Sequence, residues 1–281
     1  MMYALEPRVH DPVFELIEHL IPAPPSHPLG CHRPRVPNRV IFRGLLIRLV
    51  TGASWQTIEF LLDHTVSDTT LRARRDEWMN SGLFLKLLAH AYNAYRQVIG
   101  FDLNDLLIDG SNQRALKGGE GTGYDPKHPG KRGWKFVMAT DANGIPIAFT
   151  TDGANRNDYP LMFRVLDDLA QRNQLRLVGT LHADRGFNYP STRQTLANYY
   201  GLHRFNAPER NARHQGRRKR SPSGLRWRIE STNSWLRHHG QIANNTDRNP
   251  DHRHAALCLA TVLLLVHRIS HPQHSTWRPT R

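Results

Sequence analysis

Three acidic side chains stand where they could do chemistry. Asp109 closes the apolar run Leu106-Leu107-Ile108 and is followed by Gly110 and Ser111. Asp184 closes Leu181-His182-Ala183 and is followed by Arg185 and Gly186. In open α/β sheets ligands gather outside the carboxyl ends of strands, and a glycine there lets backbone and substrate approach closely. Either aspartate alone has a plainer reading, as the end of a strand or the start of a turn. The third acid, Glu230, lies within Arg226-Trp227-Arg228-Ile229-Glu230-Ser231-Thr232-Asn233-Ser234-Trp235-Leu236-Arg237. Between 208 and 246 the only other acid is Glu209. At 100° per residue, Arg226, Glu230 and Arg237 share one helix face. A surface Arg–Glu pair would contribute only ~0.3–0.5 kcal/mol. A metal ligand flanked by arginines that grip phosphates accounts better for one acid kept in a basic helix. Three carboxylates can hold two Mg²⁺ about 4 Å apart, one to activate a water or a 3′-OH and one to stabilise a leaving oxygen. Without a cation they repel one another.

The elements that must position these acids can be read from periodicity and punctuation. Residues 22–37 hold six prolines and form a linker or extended arm. Residues 39–88 then read as helices. Ile41, Leu45, Leu46, Leu49 and Val50 recur at helical spacing, Gly52 stops that helix and Ser54 caps the next. Ser67 or Asp68 can cap a third helix, Asp68–Asn80, ended by Gly82. Two short helices joined by a tight turn, the second carrying Arg72, Arg74 and Arg75, suggest a helix-turn-helix; an ordinary three-helix subdomain fits the pattern equally. From residue 103 the period changes. Asp141-Ala142-Asn143-Gly144 between two apolar runs signals a hairpin. Residues 160–172 read as an amphipathic helix, 177–183 as a strand, and Ser191-Thr192-Arg193-Gln194 as a capping box opening another helix. A short strand near 201–205 and helices over about 225–239 and 251–269 complete an α/β domain with a mixed sheet.

Charge supports a polyanionic partner. The 281 residues carry 38 Lys+Arg against 24 Asp+Glu, a net charge of +14. Residues 201–281 alone hold 15 basic and 4 acidic side chains. Only six of the basic residues are Lys, which suggests an Arg-rich coding bias, but bias does not explain clustering. A clustered positive field points first to nucleic acid. Two cysteines, Cys31 and Cys258, exclude a disulfide scaffold and a Cys-based zinc ribbon and suit a reducing cytoplasm. The start lacks the basic and apolar stretches of a signal peptide. The longest apolar stretch, Ala255 to Val266, is about half of the ~20 residues a membrane span needs.

The remaining motifs make a resemblance specific. They run Ile108-Asp109-Gly110-Ser111, Lys117-Gly118-Gly119, Thr122-Gly123-Tyr124-Asp125-Pro126 and Gly130-Lys131-Arg132-Gly133. Gly153-Ala154-Asn155-Arg156-Asn157-Asp158, Ala183-Asp184-Arg185-Gly186-Phe187 and the Glu230 helix follow. Upstream, Thr51-Gly52-Ala53-Ser54-Trp55 and the stretch from Leu71-Arg72 to Trp78 belong to the same pattern. In order and spacing, over roughly residues 39–268, the chain resembles a DDE transposase of bacterial insertion sequences, in the insertion-sequence-five group. That resemblance implies an RNase-H-like mixed sheet flanked by helices, preceded by a small helical domain. The implied division is 1–38 as N-terminal segment and linker, 39–100 as helical DNA-binding domain, 101–270 as catalytic domain and 271–281 as tail. Asp109, Asp184 and Glu230 become the metal-binding and catalytic triad, with two Mg²⁺ (or Mn²⁺) ions per active site. The implied reactions are hydrolysis at the element's ends and attack of the freed 3′-OH on target DNA. The implied partners are double-stranded end and target DNA and a second copy of the chain, as a homodimer on DNA, with no membrane.

Within the family pattern Arg226 stands four residues before the glutamate and Arg237 stands where Lys is usual. Ser223 replaces the usual Tyr, which removes that side chain's grip on a flipped base or phosphate. The Gly- and Lys-rich segment 117–135 lacks the spacing of a nucleotide-binding loop, so Lys131 and Arg132 are expected on the DNA backbone. Arg217, Arg218, Lys219, Arg220 and Arg228 are expected there too. Trp227 and Trp235 read as core anchors, and Asp158 as an N-cap rather than a fourth metal ligand. Two other readings stand beside the active transposase: a non-catalytic, repressor-like DNA-binding remnant, and a stand-alone RNase-H-like nuclease.

Overall fold

The computed structural model describes residues 5–23, 34–126, 128–208 and 225–271. In chain order these form helices α1 (Pro7–Glu18), α2 (Asn38–Thr51), α3 (Trp55–Leu61), α4 (Asp68–Asn80) and α5 (Leu83–Val98). Strands β1 (Asp105–Ala115), β2 (Arg132–Thr140) and β3 (Pro146–Gly153) follow, then α6 (Asp158–Gln171), β4 (Thr180–Ala183), α7 (Thr192–Tyr200) and β5 (Phe205–Asn206). Helices α8 (Arg226–Arg237), α9 (Gly240–Ala243) and α10 (Pro250–Ser270) end the chain. Packing divides them into two compact units, one of residues 1–98 with 236–271 and one built on 99–235. The sequence reading placed everything from 101 to 270 in one domain. The structure instead packs α10 on α5, within the first unit.

The first unit is helical because its local signals agree with its apolar spacing. Helix α2 ends at Gly52, whose φ of 70° is the left-handed conformation that a side chain disfavours. Ser54 and Ser67 cap α3 and α4, accepting from the backbone N–H of Thr57 and Thr70. Close approach of backbone also matters here: a Cβ on Gly240 would sit 2.4 Å from the Thr51 carbonyl. Helix α10 is long and apolar enough by composition to cross a membrane, yet it is mostly buried, from Ala255 to Leu265, as a core helix is.

The second unit is a mixed sheet in the spatial order β3-β2-β1-β4-β5. Strand β2 is antiparallel to both β1 and β3, whereas β4 runs parallel to β1 and to β5. This is the mixed sheet flanked by helices that the sequence implied. The hairpin between β2 and β3 turns at Asp141–Gly144, as read from the sequence. Gly144 has φ 78°, and the buried Asp141 carboxylate accepts from the N–H groups of Asn143 and Ile145. Helix α6 covers one face with Leu161, Met162, Val165, Leu166 and Leu169, all essentially buried. Each such side chain contributes about 1.5–3 kcal/mol on burial.

Two local expectations change. Asn157, not Asp158, is the N-cap of α6, accepting from Tyr159 N–H. Asp158 is the first helical residue and pairs with the buried Lys135 ammonium at 2.7 Å. Ser191 precedes α7 but makes no capping bond. Thr192 Oγ1 donates to the Phe187 carbonyl and accepts from Tyr189 N–H instead, so the turn before the helix outcompetes the capping box.

Candidate active site

Strand β1 does not stop at Asp109; it runs on to Ala115, because β2 pairs with it over that whole length. What ends beside Asp109 is β4. Their parallel register sets Ile108 against Ala183, so Asp184 leaves the sheet next to Asp109. Asp184 then opens a short 3₁₀ turn and accepts from Arg185 N–H at 2.6 Å.

Glu230 arrives on α8, whose position is set by the β2–β3 turn. Thr232 Oγ1 donates to the Gly144 carbonyl at 2.5 Å, and Arg228 donates to the Ala142 carbonyl and to Asn143 Oδ1. Gly144 is needed for closeness as well as for its φ, since a Cβ there would lie 3.1 Å from the Arg228 carbonyl oxygen. Arg228 thus helps to dock the helix and is half-buried there. Trp227 is 40% exposed and is not the core anchor the sequence suggested.

Two of the acids meet around one guanidinium. Arg226 Nη1 lies 3.0 Å from Asp184 Oδ1 and its Nη2 lies 3.4 Å from Glu230 Oε1. Asn233, one turn beyond Glu230, donates from Nδ2 to Asp109 Oδ2 at 3.0 Å. Burial pushes the Asp109 carboxyl up to about 6. The charge of Arg226 and the Gly110 N–H pull it back, while Asp184 and Glu230 add to the rise. Three carboxylates therefore share one electrostatic field, with Arg226 as its counterion.

The donor set is all carboxylate oxygen, which suits Mg²⁺ or Mn²⁺ rather than a soft metal. Among the described residues, no three His, Cys, Asp or Glu side chains converge as they stand into a metal-holding group. Arg226 is the cation that pairs with both Asp184 and Glu230.

A stability measurement follows. In the unfolded chain Asp109 ionises near pH 3.9. Its native pKa lies higher, so its charge destabilises the fold progressively as pH rises from about 4 to 6, and fully above that. At pH 8 in chelator, Asp109→Asn is expected to raise the unfolding midpoint, with a gain of up to about 3 kcal/mol. An unchanged or lower midpoint by circular dichroism would contradict the burial of this charge.

The other expected contacts divide. Arg74 is 5% exposed, lies against Glu77, Asn38 and the Trp78 ring, and is held below its ordinary pKa by burial first and then by Arg35. Arg75 stacks on Trp55 and pairs with Asp76 and Asp247. Neither presents its charge to DNA. Their carboxylate partners, some of them distant in sequence, outweigh the pull of solvent. Arg72 remains exposed on α4, tied to Asp68 one turn earlier. Arg237, the last residue of α8, is exposed in the first unit. Arg217, Arg218, Lys219 and Arg220, with Ser223, lie outside the described residues.

Lys131 and Arg132 line a cavity of about 530 Å³ with Arg114, Lys117, Gly118 and Gly119. None of its four cations pairs with a carboxylate among the described residues. Gly118 and Gly119 have φ of 59° and 110°, which keeps this wall free of side chains. Arg114 is five residues beyond Asp109, about 17 Å along an extended strand.

Comparison with known proteins agrees with these features. The family described as Transposase DDE domain matches residues 100–266, and that described as Putative transposase of IS4/5 family matches residues 9–88. A "Putative transposase for insertion sequence element IS402" of Burkholderia cepacia is 29% identical over 148 residues, 51% of this chain and 67% of that protein. An "Insertion element IS402 uncharacterized 16.2 kDa protein" of the same organism is 29% identical over 122 residues, 43% of this chain and 82% of that one. Among solved structures, the Mos1 transposase paired-end complex with left transposon end aligns with 90% of this chain and 80% of its own. Its TM-score is 0.34 and its identity 11%.

Proposed function

The chain belongs to the DDE transposase family, and from that premise we propose that Asp109, Asp184 and Glu230 are the three carboxylates with which it cuts and joins DNA. The observation that carries the assignment is that Asp184 and Glu230 both pair with Arg226, while Asp109 lies within the same electrostatic field and is tied to the Glu230 helix through Asn233. Mg²⁺ or Mn²⁺, two ions per site, would supply an activated oxygen nucleophile and charge for the leaving oxygen.

The chain's own side chains have separable tasks. Asp109, Asp184 and Glu230 would hold the cations, with Asp109 buried and Asp184 and Glu230 about half exposed beside it. Arg226 neutralises Asp184 and Glu230, and with cations bound its planar fork would be available to grip a phosphate of the DNA. In the first reaction a water oxygen bonds to phosphorus at the element's end, the 3′-oxygen leaves and takes a proton. In the second, that 3′-OH attacks a target phosphodiester and displaces the target's own 3′-oxygen.

The basic cavity at the far end of β1 holds backbone beyond the scissile phosphate. About 17 Å of duplex axis carries roughly ten phosphate charges, enough to reach from Asp109 to Arg114. Replacing Lys131 and Arg132 together with alanine is expected to weaken binding similarly on all sequences. The slope of log K against log salt should also fall by about 1.8, or 0.9 per lost phosphate contact. Filter binding across a salt series measures this, and an unaltered slope removes both residues from the interface. Among the described residues Arg72 and Arg237 are further exposed candidates for DNA, and a homodimer on paired ends is the assembly we expect.

The direct test is incubation with a linear DNA carrying both ends of the cognate element and a supercoiled target. Mg²⁺ should yield nicks with free 3′-OH at the ends, then joined products, and chelator should suppress both. Cutting without joining would support a nuclease; binding without cutting would support a non-catalytic remnant.

A further inference from the structure

Asn233 makes a contact that no part of the triad assignment requires. Its amide is 6% exposed, and Nδ2 donates to Asp109 Oδ2 at 3.0 Å. The orientation is forced, because a carboxylate oxygen only accepts and the amide oxygen would repel it. The other half of the amide is left over. Asn233 Oδ1 is buried and has no hydrogen-bond partner. A buried carbonyl without a donor costs about 1–3 kcal/mol, so a side chain chosen only for packing would not be an asparagine. An apolar side chain would avoid that cost. Asn233 is also placed to link the acids: it sits three residues after Glu230 on α8 and reaches across to β1.

We propose that Asn233 is a positioning residue for divalent-cation binding, resting on the triad assignment above. Its Nδ2 pins one oxygen of Asp109 and so orients the other toward the ion. Its Oδ1 accepts a hydrogen bond from water that accompanies the ion, which supplies the missing donor. Supporting partners of this kind, behind the ligands themselves, commonly change metal affinity by about 10–100-fold when removed.

The test is Mn²⁺ binding, read by the electron paramagnetic resonance signal of free Mn²⁺, in wild type, Asn233→Leu, Asn233→Ala and Asp109→Ala. Leucine keeps the number of heavy atoms and the branch at Cγ and removes both polar atoms; alanine serves if the bulkier leucine does not fold. Unfolding midpoints in chelator report folding separately. We expect the Asn233 variants to fold and to bind Mn²⁺ about 10–100-fold more weakly. Cleavage should need correspondingly more metal for half-maximal rate and should recover most of its rate at saturating metal. A purely structural role would move the midpoint in chelator and leave metal affinity intact. Wild-type affinity in a folded Asn233 variant, with Asp109→Ala deficient, overturns this inference alone. Wild-type affinity in Asp109→Ala overturns the triad assignment and this inference with it.

Discussion

Asp109→Ala, Asp184→Ala and Glu230→Ala proteins should each bind element-end DNA as wild type does and cut it at least about a thousandfold more slowly, which is about 4 kcal/mol of barrier. The reasoning is electrostatic. In the proposed assignment each carboxylate would help to hold cations that act chiefly on the transition state, so its loss should fall on rate rather than on binding. The three reach the site from different elements: Asp109 from β1, Asp184 from the end of β4, Glu230 from α8. Their loss should therefore leave distinct structural traces. Removing Asp109 frees Asn233, whereas removing Asp184 or Glu230 frees one side of Arg226. Gel-shift binding beside a cleavage time course separates the two quantities. A Glu230→Ala protein cutting at the wild-type rate would falsify the assignment.

Asp247→Ala should be the most damaging substitution for stability in the helical unit. Asp247 is buried and accepts from Arg48 at 2.9 Å, Arg75 at 3.4 Å and Gln241 at 2.9 Å. Arg48 is equally buried, and both guanidinium groups lie over the Trp55 ring. Removing the carboxylate takes the anionic partner from the buried Arg48 and leaves Arg75 with Asp76, and breaking such a buried pair costs about 3–5 kcal/mol. Asp247→Asn keeps hydrogen-bond acceptance and should cost less. Burial by itself pushes the Asp247 carboxyl up, but Arg48, Gln241 and Arg75 more than offset it, so the carboxyl sits below its usual range. A lowered native pKa means stability that is full above the unfolded value near 3.9 and lost as pH falls through the native one. The gap between wild type and Asp247→Asn should therefore be full at pH 6–7 and narrow below about pH 4. Urea midpoints across that range measure it, and a gap that stays constant with pH would show that charge is not the cause.

Much of this protein could be read from contiguous residues. Gly52, Ser54, Ser67 and the Asp141–Gly144 turn each act through backbone atoms within a few positions of themselves, so their effects are written locally. The face shared by Arg226 and Glu230 follows from helix geometry alone, and the structure shows the pair. Asn233 lies on the same turn and could have been picked out by that spacing, although nothing local says that it meets Asp109.

What the tertiary structure decided concerns partners far apart in the chain. Asp109 reads as a strand end, yet β2 extends its strand and the end belongs to β4, whose register with β1 is a matter of pairing across more than 70 residues. Arg74 and Arg75 read as two charges on a recognition helix. One is turned inward by Glu77, Asn38 and Trp78, and the other by Trp55 and by Asp247, which lies 172 residues away. Helix α10 reads as the last element of the sheet domain and packs with the N-terminal helices instead. The amino-acid sequence by itself determined which residue types were available, their local conformations and the three acids. Only folding decided which charges stay in water and which are buried beside a partner, because desolvation and pairing depend on neighbours that sequence distance does not reveal.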